Sequence, residues 1–261
     1  MSIIGAIIGD IAGSQFEFDT PFDFNCETAE LFTDNCHFTD DTVMTLAVKY
    51  AIVNDRPFSD SLREFGRKYP GVGYGGRFFW WLLEDDAEPY NSFGNGSAMR
   101  VSYVADHFDN LKDVKIWAGK TAGCTHNHPE GIKGAITTAV CIWLAKHKKS
   151  KDAIRKYVNS QYPKDQYQYS SEYSIDEIRG RYKWDETCQG SVPVAVRCVL
   201  EADSYVEFIR NAYSLPCDMD TICAIGGSIA EELFGGTGLN NQEILSRYLD
   251  DDLLKLVFLK P

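Results

Sequence analysis

The stretch Asp218-Met-Asp-Thr-Ile-Cys-Ala-Ile-Gly-Gly-Ser-Ile-Ala-Glu-Glu-Leu-Phe-Gly-Gly236 carries Ile222, Ile225, Ile229 and Leu233 at steps of three and four residues, the spacing of one helix face. Acids and a threonine stand at its start, and Gly235-Gly236 supplies a stop. A second stretch has the same plan. Thr39-Asp-Asp-Thr-Val-Met-Thr-Leu-Ala-Val-Lys-Tyr-Ala-Ile-Val53 sets Val43, Leu46, Ala47, Tyr50 and Ala51 along one stripe behind Thr39, Asp40 and Asp41. Two apolar helices that both begin in Asp and Thr point to a helical fold with its chemistry at helix starts.

The same period extends outward along the chain. Apolar residues at 3, 4, 7, 8 and 11 predict a helix whose other face carries Gly5, Gly9 and Gly13, a surface that lets another backbone approach closely. Pro129 begins a helix that closes on Lys146-His147-Lys148-Lys149, where cations suit the helix dipole. Helices are also predicted over 152–162, 192–201 and 205–213, and the glycine-rich stretches 71–76 and 93–97 read as loops. Alternating strand patterns are hard to find, and the run from Tyr167 to Tyr173 is polar and tyrosine-rich. The expectation is an all-α, compact single domain over residues 1–261.

Composition narrows the function. Of 261 residues, 44% are hydrophobic and 25% charged, which disfavours disordered and fibrous classes. A formal net charge of −12 opposes nucleic-acid and anionic-membrane binding, both of which use clustered Lys and Arg. The apolar start lacks a basic region and is interrupted by Asp10, so it reads as a core helix rather than a leader or a membrane span. Eight scattered cysteines without a Cys-x-x-Cys pair fit reduced thiols in a cytoplasm. A cytoplasmic monomer is expected, with no nucleic-acid or membrane partner.

Thr39, Asp40 and Asp41 gather at one helix start, and Asp218, Asp220 and Thr221 at another. If the two ends faced each other, four carboxylates and two hydroxyls would share one small volume. They would raise one another's pKa values unless cations neutralised them. Hard oxygen ligands favour Mg²⁺ or Mn²⁺ over zinc. Ordinary helix capping explains each cluster taken singly, and spacing does not show that they meet.

Asn91-Ser-Phe-Gly-Asn-Gly-Ser-Ala-Met-Arg100 reads either as a tight turn or as a nest of backbone N–H groups for a phosphate. It lacks the Gly-Lys-Ser/Thr of a nucleotide-triphosphate loop. Cys124-Thr-His126-Asn-His128-Pro-Glu130 allows a zinc site with Cys36-His37, a Cys-His nucleophile pair, histidine caps on the helix from Pro129, or a histidine that binds ligand phosphate.

In order, Gly5-Ala-x-x-Gly-Asp10-x-x-Gly-Ser-x-x-Glu17, Phe38-Thr-Asp-Asp-Thr-Val-Met-Thr45, Gly94-Asn-Gly-Ser-Ala-Met-Arg100, Thr125-His126 and Asp218-x-Asp-Thr221 resemble the ADP-ribosylglycohydrolase family. The resemblance implies an all-α fold with a binuclear Mg²⁺ or Mn²⁺ centre in a cleft, held by Thr39, Asp40 and Asp41 from one side and Asp218, Asp220 and Thr221 from the other. It matches Glu17 to a mobile-loop glutamate beside the metals, and Gly94, Asn95, Gly96, Ser97 and His126 to segments that hold the diphosphate and distal ribose. One departure stands at Pro216-Cys217, where relatives commonly have Gly-Gly, and it removes backbone freedom ahead of Asp218.

The implied reaction is hydrolysis of the glycosidic bond between ADP-ribose and an acceptor, a protein side chain or a small molecule. Two metals would bind ribose hydroxyls and activate a water, with Glu17, Asp40 or Asp41 orienting or deprotonating it. A non-catalytic ADP-ribose-binding module and a hydrolase of another ADP-ribosyl or nucleotide conjugate are the competing functions.

Overall fold

The computed structural model describes residues 1–260, and their backbone forms fifteen helices with one isolated bridge, Gly94 to Thr187. In chain order these are α1 (Ser2–Ser14), α2 (Asp40–Val53), α3 (Phe58–Lys68), α4 (Gly76–Leu83), α5 (Gly96–Met99), α6 (Ser102–His107), α7 (Leu111–Gly123) and α8 (Pro129–Lys146). They continue as α9 (Lys151–Gln161), α10 (Ile175–Arg179), α11 (Cys188–Glu201), α12 (Tyr205–Tyr213), α13 (Met219–Phe234), α14 (Asn241–Tyr248) and α15 (Asp251–Val257). The all-α single domain expected from the sequence is what the chain adopts. No helix among the described residues is long and apolar enough to cross a membrane.

Side-chain caps set most of the starts. Thr39, Asn110, Ser150, Thr187, Ser204, Asn240 and Asp250 each accept a bond from a first-turn N–H of the helix they precede. Such a cap contributes roughly 1 kcal/mol. Thr187 also moves the start of α11 to Cys188, ahead of the apolar run from Val192 that marks it in sequence. Gly235 ends α13 in the left-handed conformation, at φ 78°.

The centre of the molecule is α1 packed on α13, both buried along nearly their whole length. The glycine face read from the sequence makes this possible. A methyl group on Gly5, Gly9 or Gly13 would strike the α13 backbone at Gly227, Cys223 or Asp220 respectively. Glu231 clips the start of α1, its Oε2 accepting from the Gly5 N–H at 2.6 Å, and Tyr205 donates to the Gly5 carbonyl at 2.6 Å. The end of α1 therefore lies against the start of α13, so Gly13 faces Asp220.

α3 and α7 have no counterpart in the sequence reading. Each buries only a few positions, such as Leu62 and Phe65 or Val114 and Ala118, and its outer face is charged. The period is visible once the buried positions are known, but it is diluted by polar neighbours.

Candidate active site

Asp10 on α1 is fully buried and fastens the start of α2. Its carboxylate accepts from the backbone N–H groups of Thr39 and Thr42 at 3.0 and 3.1 Å, and from their hydroxyls at 2.7 and 2.5 Å. Burial raises its pKa, and these four donors oppose the rise. Thr39 also accepts from the Asp41 N–H at 3.2 Å as the α2 cap. Its side chain is thus held behind the cavity, while Asp40 and Asp41 line it.

At the start of α13, Thr221 donates its hydroxyl to Asp41 Oδ2 at 3.1 Å. The two acidic clusters therefore meet. Asp218 accepts from the Asn95 amide at 2.7 Å, and Asn95 also reaches Ser191 at 3.0 Å. Cys217 turns its side chain into the core, where its thiol lies 3.7 Å from Met219 Sδ, and it does not line the cavity. Neither Pro216 nor Cys217 therefore lines the cavity beside Asp218.

Glu17 follows α1 and comes to the same wall. Glu17, Asp218 and Asp220 each place a carboxylate oxygen within 4.8 Å of the others. Burial first, then the charge of Asp220, pushes Glu17 up to about 8. Burial pushes Asp218 up to about 7 against the pull of Asn95, and it raises Asp40, Asp41 and Asp220 well above the carboxylate range. Asp41 Oδ1 is buried with no hydrogen-bond partner. No Lys or Arg among the described residues pairs with these acids. Several hard oxygens, one of them orphaned and none offset by a basic side chain, fit Mg²⁺ or Mn²⁺.

The acids line a cavity of about 380 Å³ that basic side chains also line. Gly94, Asn95, Gly96 and His126 border it with Tyr90, Arg77 and Arg100, and Asn95 links this set to Asp218. The N–H groups of Gly94 and Asn95 are already spent on Ser92 Oγ and the Glu186 carbonyl, so an anion here would meet the start of α5. The 93–97 stretch is therefore a loop that turns helical at Gly96. Ser97 faces away, donating to the Gly131 carbonyl at 2.8 Å and fixing the loop to α8.

Arg100, almost wholly buried, donates to Thr125 Oγ1 at 2.8 Å, and that hydroxyl lies 2.7 Å from His126 Nδ1. A guanidinium only donates, so Thr125 Oγ1 accepts from Arg100 and keeps its own proton free for Nδ1, a pairing that leaves Nε2 toward the cavity. Burial, then Arg100 and Arg77, hold His126 well below its ordinary pKa. His126 is thus held neutral, with Nε2 close to Gly96. Its neighbour His128 is the α8 cap, accepting from the Glu130 N–H at 3.1 Å. Among the described residues no Cys and His gather as a zinc site would require; the one metal-type group is Glu17, Asp218 and Asp220.

Three further residues shape the site without a sequence expectation for that role: Asp10 as a brace, Arg77, and Glu186, which lines the cavity from the segment before α11. Asp10 and Arg100 lie inside the motifs quoted above, so their positions carried a signal. Glu186 lies in an aperiodic polar stretch and carried none.

Fold and site together define an all-α enzyme with a cavity lined by carboxylates and by basic side chains. The chain belongs to the ADP-ribosylglycohydrolase family, which residues 1–256 match. It is 26% identical over 302 aligned residues to ADP-ribosylhydrolase ARH3 of Danio rerio, covering 90% of this chain and 82% of that protein. It is 30% and 29% identical over 175 residues to ADP-ribosylhydrolase ARH3 of Mus musculus and Homo sapiens. Those two matches take in 55% of this chain and just under half of the relatives, 47% and 48%. A solved chain of an ADP-ribosylglycohydrolase-related protein complex shares the fold, with a TM-score of 0.73, 18% identity, and coverage of 98% of this chain and 93% of that one.

Proposed function

We propose that this chain hydrolyses the glycosidic bond between ADP-ribose and a protein side chain, in a reaction that depends on two divalent cations, Mg²⁺ or Mn²⁺. As a member of its family it is a hydrolase of ADP-ribosyl glycosidic bonds. The observation that carries the metal reading is the convergence of Glu17, Asp40, Asp41, Asp218 and Asp220 on one wall, with Asp41 Oδ1 unsatisfied and no basic side chain to offset them.

Asp40, Asp41, Asp218, Asp220 and Thr221 would hold the ions, with Thr39 bracing the start of α2 from behind. Bound there, the cations supply charge for the ribose hydroxyls and acidify a water. The protein supplies the rest. Glu17, at the edge of the acid wall, accepts a proton from the attacking water. Oxygen from that water bonds to the anomeric carbon, the bond to the acceptor breaks, and the acceptor leaves with its electron pair and takes the proton that Glu17 received from the water. The diphosphate lies beside Gly96, where His126 Nε2 faces it and Arg77 and Arg100 offset its charge.

The test incubates purified protein with mono-ADP-ribosylated peptides in Mg²⁺ or in EDTA and measures free ADP-ribose. Release that stops in EDTA and returns with Mg²⁺ is expected. Release indifferent to chelation would remove the metal from the mechanism.

A further inference from the structure

Behind the acid wall a line of polar groups runs from Asp218 to the start of α11, and the direction of each hydrogen bond in it is fixed. Asn95 donates both amide protons, one to Asp218 Oδ2 at 2.7 Å and the other to Ser191 Oγ at 3.0 Å. Ser191, wholly buried, gives its own proton to the Asp185 carbonyl at 3.0 Å. A carbonyl only accepts, so the Ser191 hydroxyl has only lone pairs left for Asn95. Asn95 must therefore meet it with an N–H, and the second N–H of the same nitrogen is thereby aimed at Asp218.

The far end of the line is anchored. Asp185 Oδ1 accepts from the Thr187 N–H at 2.9 Å and from the Thr187 hydroxyl at 2.6 Å. A methyl group on Gly190 would strike the Asp185 carboxylate at 2.1 Å, so the position before Ser191 has no room for a side chain. The Asn95 backbone N–H donates to the Glu186 carbonyl at 2.8 Å, so one short segment holds Asn95 by both main chain and side chain.

We propose that Ser191 is a positioning residue for the cation site: through Asn95 it sets the orientation in which Asp218 meets a divalent cation. The inference rests on the metal-dependent reaction proposed above. Ser191 itself does not line the cavity. Without its hydroxyl, nothing on α11 requires Asn95 to present an N–H, and the amide is free to turn over and put its oxygen beside Asp218. Two acceptors would then face each other, and the carboxylate would swing off its line. Hydrogen-bond partners of metal ligands typically contribute about 10- to 100-fold to affinity or activity, because they hold the ligand in place.

The experiment titrates Mg²⁺, and Mn²⁺ in parallel, into the metal-free full chain by isothermal calorimetry for the wild type, Ser191→Ala, Asn95→Ala and the double variant, with melting in EDTA as the measure of fold. Ser191→Ala should weaken binding about tenfold or more. Asn95→Ala should lose as much or more, and the double variant no more than Asn95→Ala alone, since the two residues act in series. Ser150→Ala, which removes the α9 cap at a position that does not line the cavity, controls for ordinary destabilisation: its Tm should fall and its cation affinity should hold. Ser191→Cys, with a nearly isosteric thiol that accepts only weakly, should also lose affinity and carries the test if Ser191→Ala does not fold. Unchanged affinity in a folded Ser191 variant overturns this inference and leaves the metal reading standing. Losses that add in the double variant overturn the route through Asn95, and an equal loss in Ser150→Ala makes the effect one of general stability and overturns the assignment. A wild type that binds neither cation overturns the metal reading, and this inference falls with it.

Discussion

The Thr221 hydroxyl donates to Asp41 Oδ2 at 3.1 Å across 180 residues of chain, and this bond joins the starts of α13 and α2. It satisfies one Asp41 oxygen and leaves Oδ1 buried without a partner. The site therefore contains a carboxylate that the protein alone does not stabilise.

Asp41→Asn should abolish turnover and at the same time stabilise the metal-free protein. The amide keeps an oxygen for Thr221 and puts a neutral donor among acids whose burial and mutual charge push them up. With about 1 kcal/mol relieved, melting in EDTA should rise by about 2–4 °C for a chain of this size. The Mg²⁺-induced rise in Tm should shrink. Scanning calorimetry checks both, and a wild-type-sized Mg²⁺ response would take Asp41 out of the ligand set.

pH acts on the same wall. Glu17 is pushed up to about 8 and Asp218 to about 7, above the usual range of unfolded carboxyls. For acids raised in the folded state, the unfolded chain releases protons first as pH rises. Their contribution is complete below about 4, is lost progressively as pH rises, and levels off above about 8. Metal-free protein should accordingly melt lower at pH 8 than at pH 5. Saturating Mg²⁺ should reduce that slope, because the ions stabilise the charged forms. A pH slope identical in EDTA and Mg²⁺ would contradict cation binding at this wall.

The close approach of α1 to α13 also has a sharp test. A methyl group at Gly13 would meet the Asp220 backbone, whereas one at Gly71 has nothing within 4 Å. Gly13→Ala should cost about 1–3 kcal/mol by overpacking and displace Asp220 from its neighbours. Mg²⁺ affinity should fall with Tm. Gly71→Ala should change neither by much. Isothermal titration of Mg²⁺ into both variants separates the two positions.

Much of this was legible in the chain, for identifiable reasons. The α2 and α12 boundaries coincide with their sequence stripes, and α8 begins at the Pro129 signal, because those helices present broad apolar faces or strong start residues. The acidic pairs stood out because they repeat at two helix starts. Their meeting did not, because it depends on α1 as a strut that lays Gly13 on Asp220 and sends Asp10 to the start of α2. In sequence Asp10 belongs to the Gly5-Ala-x-x-Gly-Asp10 motif and interrupts an apolar run, and neither feature names the helix start it fastens. Thr39 and Ser97 belong to the site motifs, yet their hydroxyls turn to Asp10 and Gly131, an orientation that no spacing reveals. Glu186 approaches from an aperiodic segment, where pattern carries no information about neighbours.

His126 offers the last test, because its protonation follows from its partners. With burial and two arginines nearby, the ring stays neutral, and with Nδ1 paired to the Thr125 hydroxyl only Nε2 faces the cavity. Its ordinary transition near pH 6.5 should therefore be absent. An NMR titration of the ring should show no charging between pH 5 and 8, and kcat/KM should show no step from it. His126→Gln, which retains a donor, should lose less than His126→Phe. The Phe variant should lose about 10- to 150-fold in kcat/KM, the equivalent of one bond of about 1.5–3 kcal/mol to a charged phosphate. Equal losses in the two variants would mean that His126 supports the loop by shape rather than by donating to the ligand.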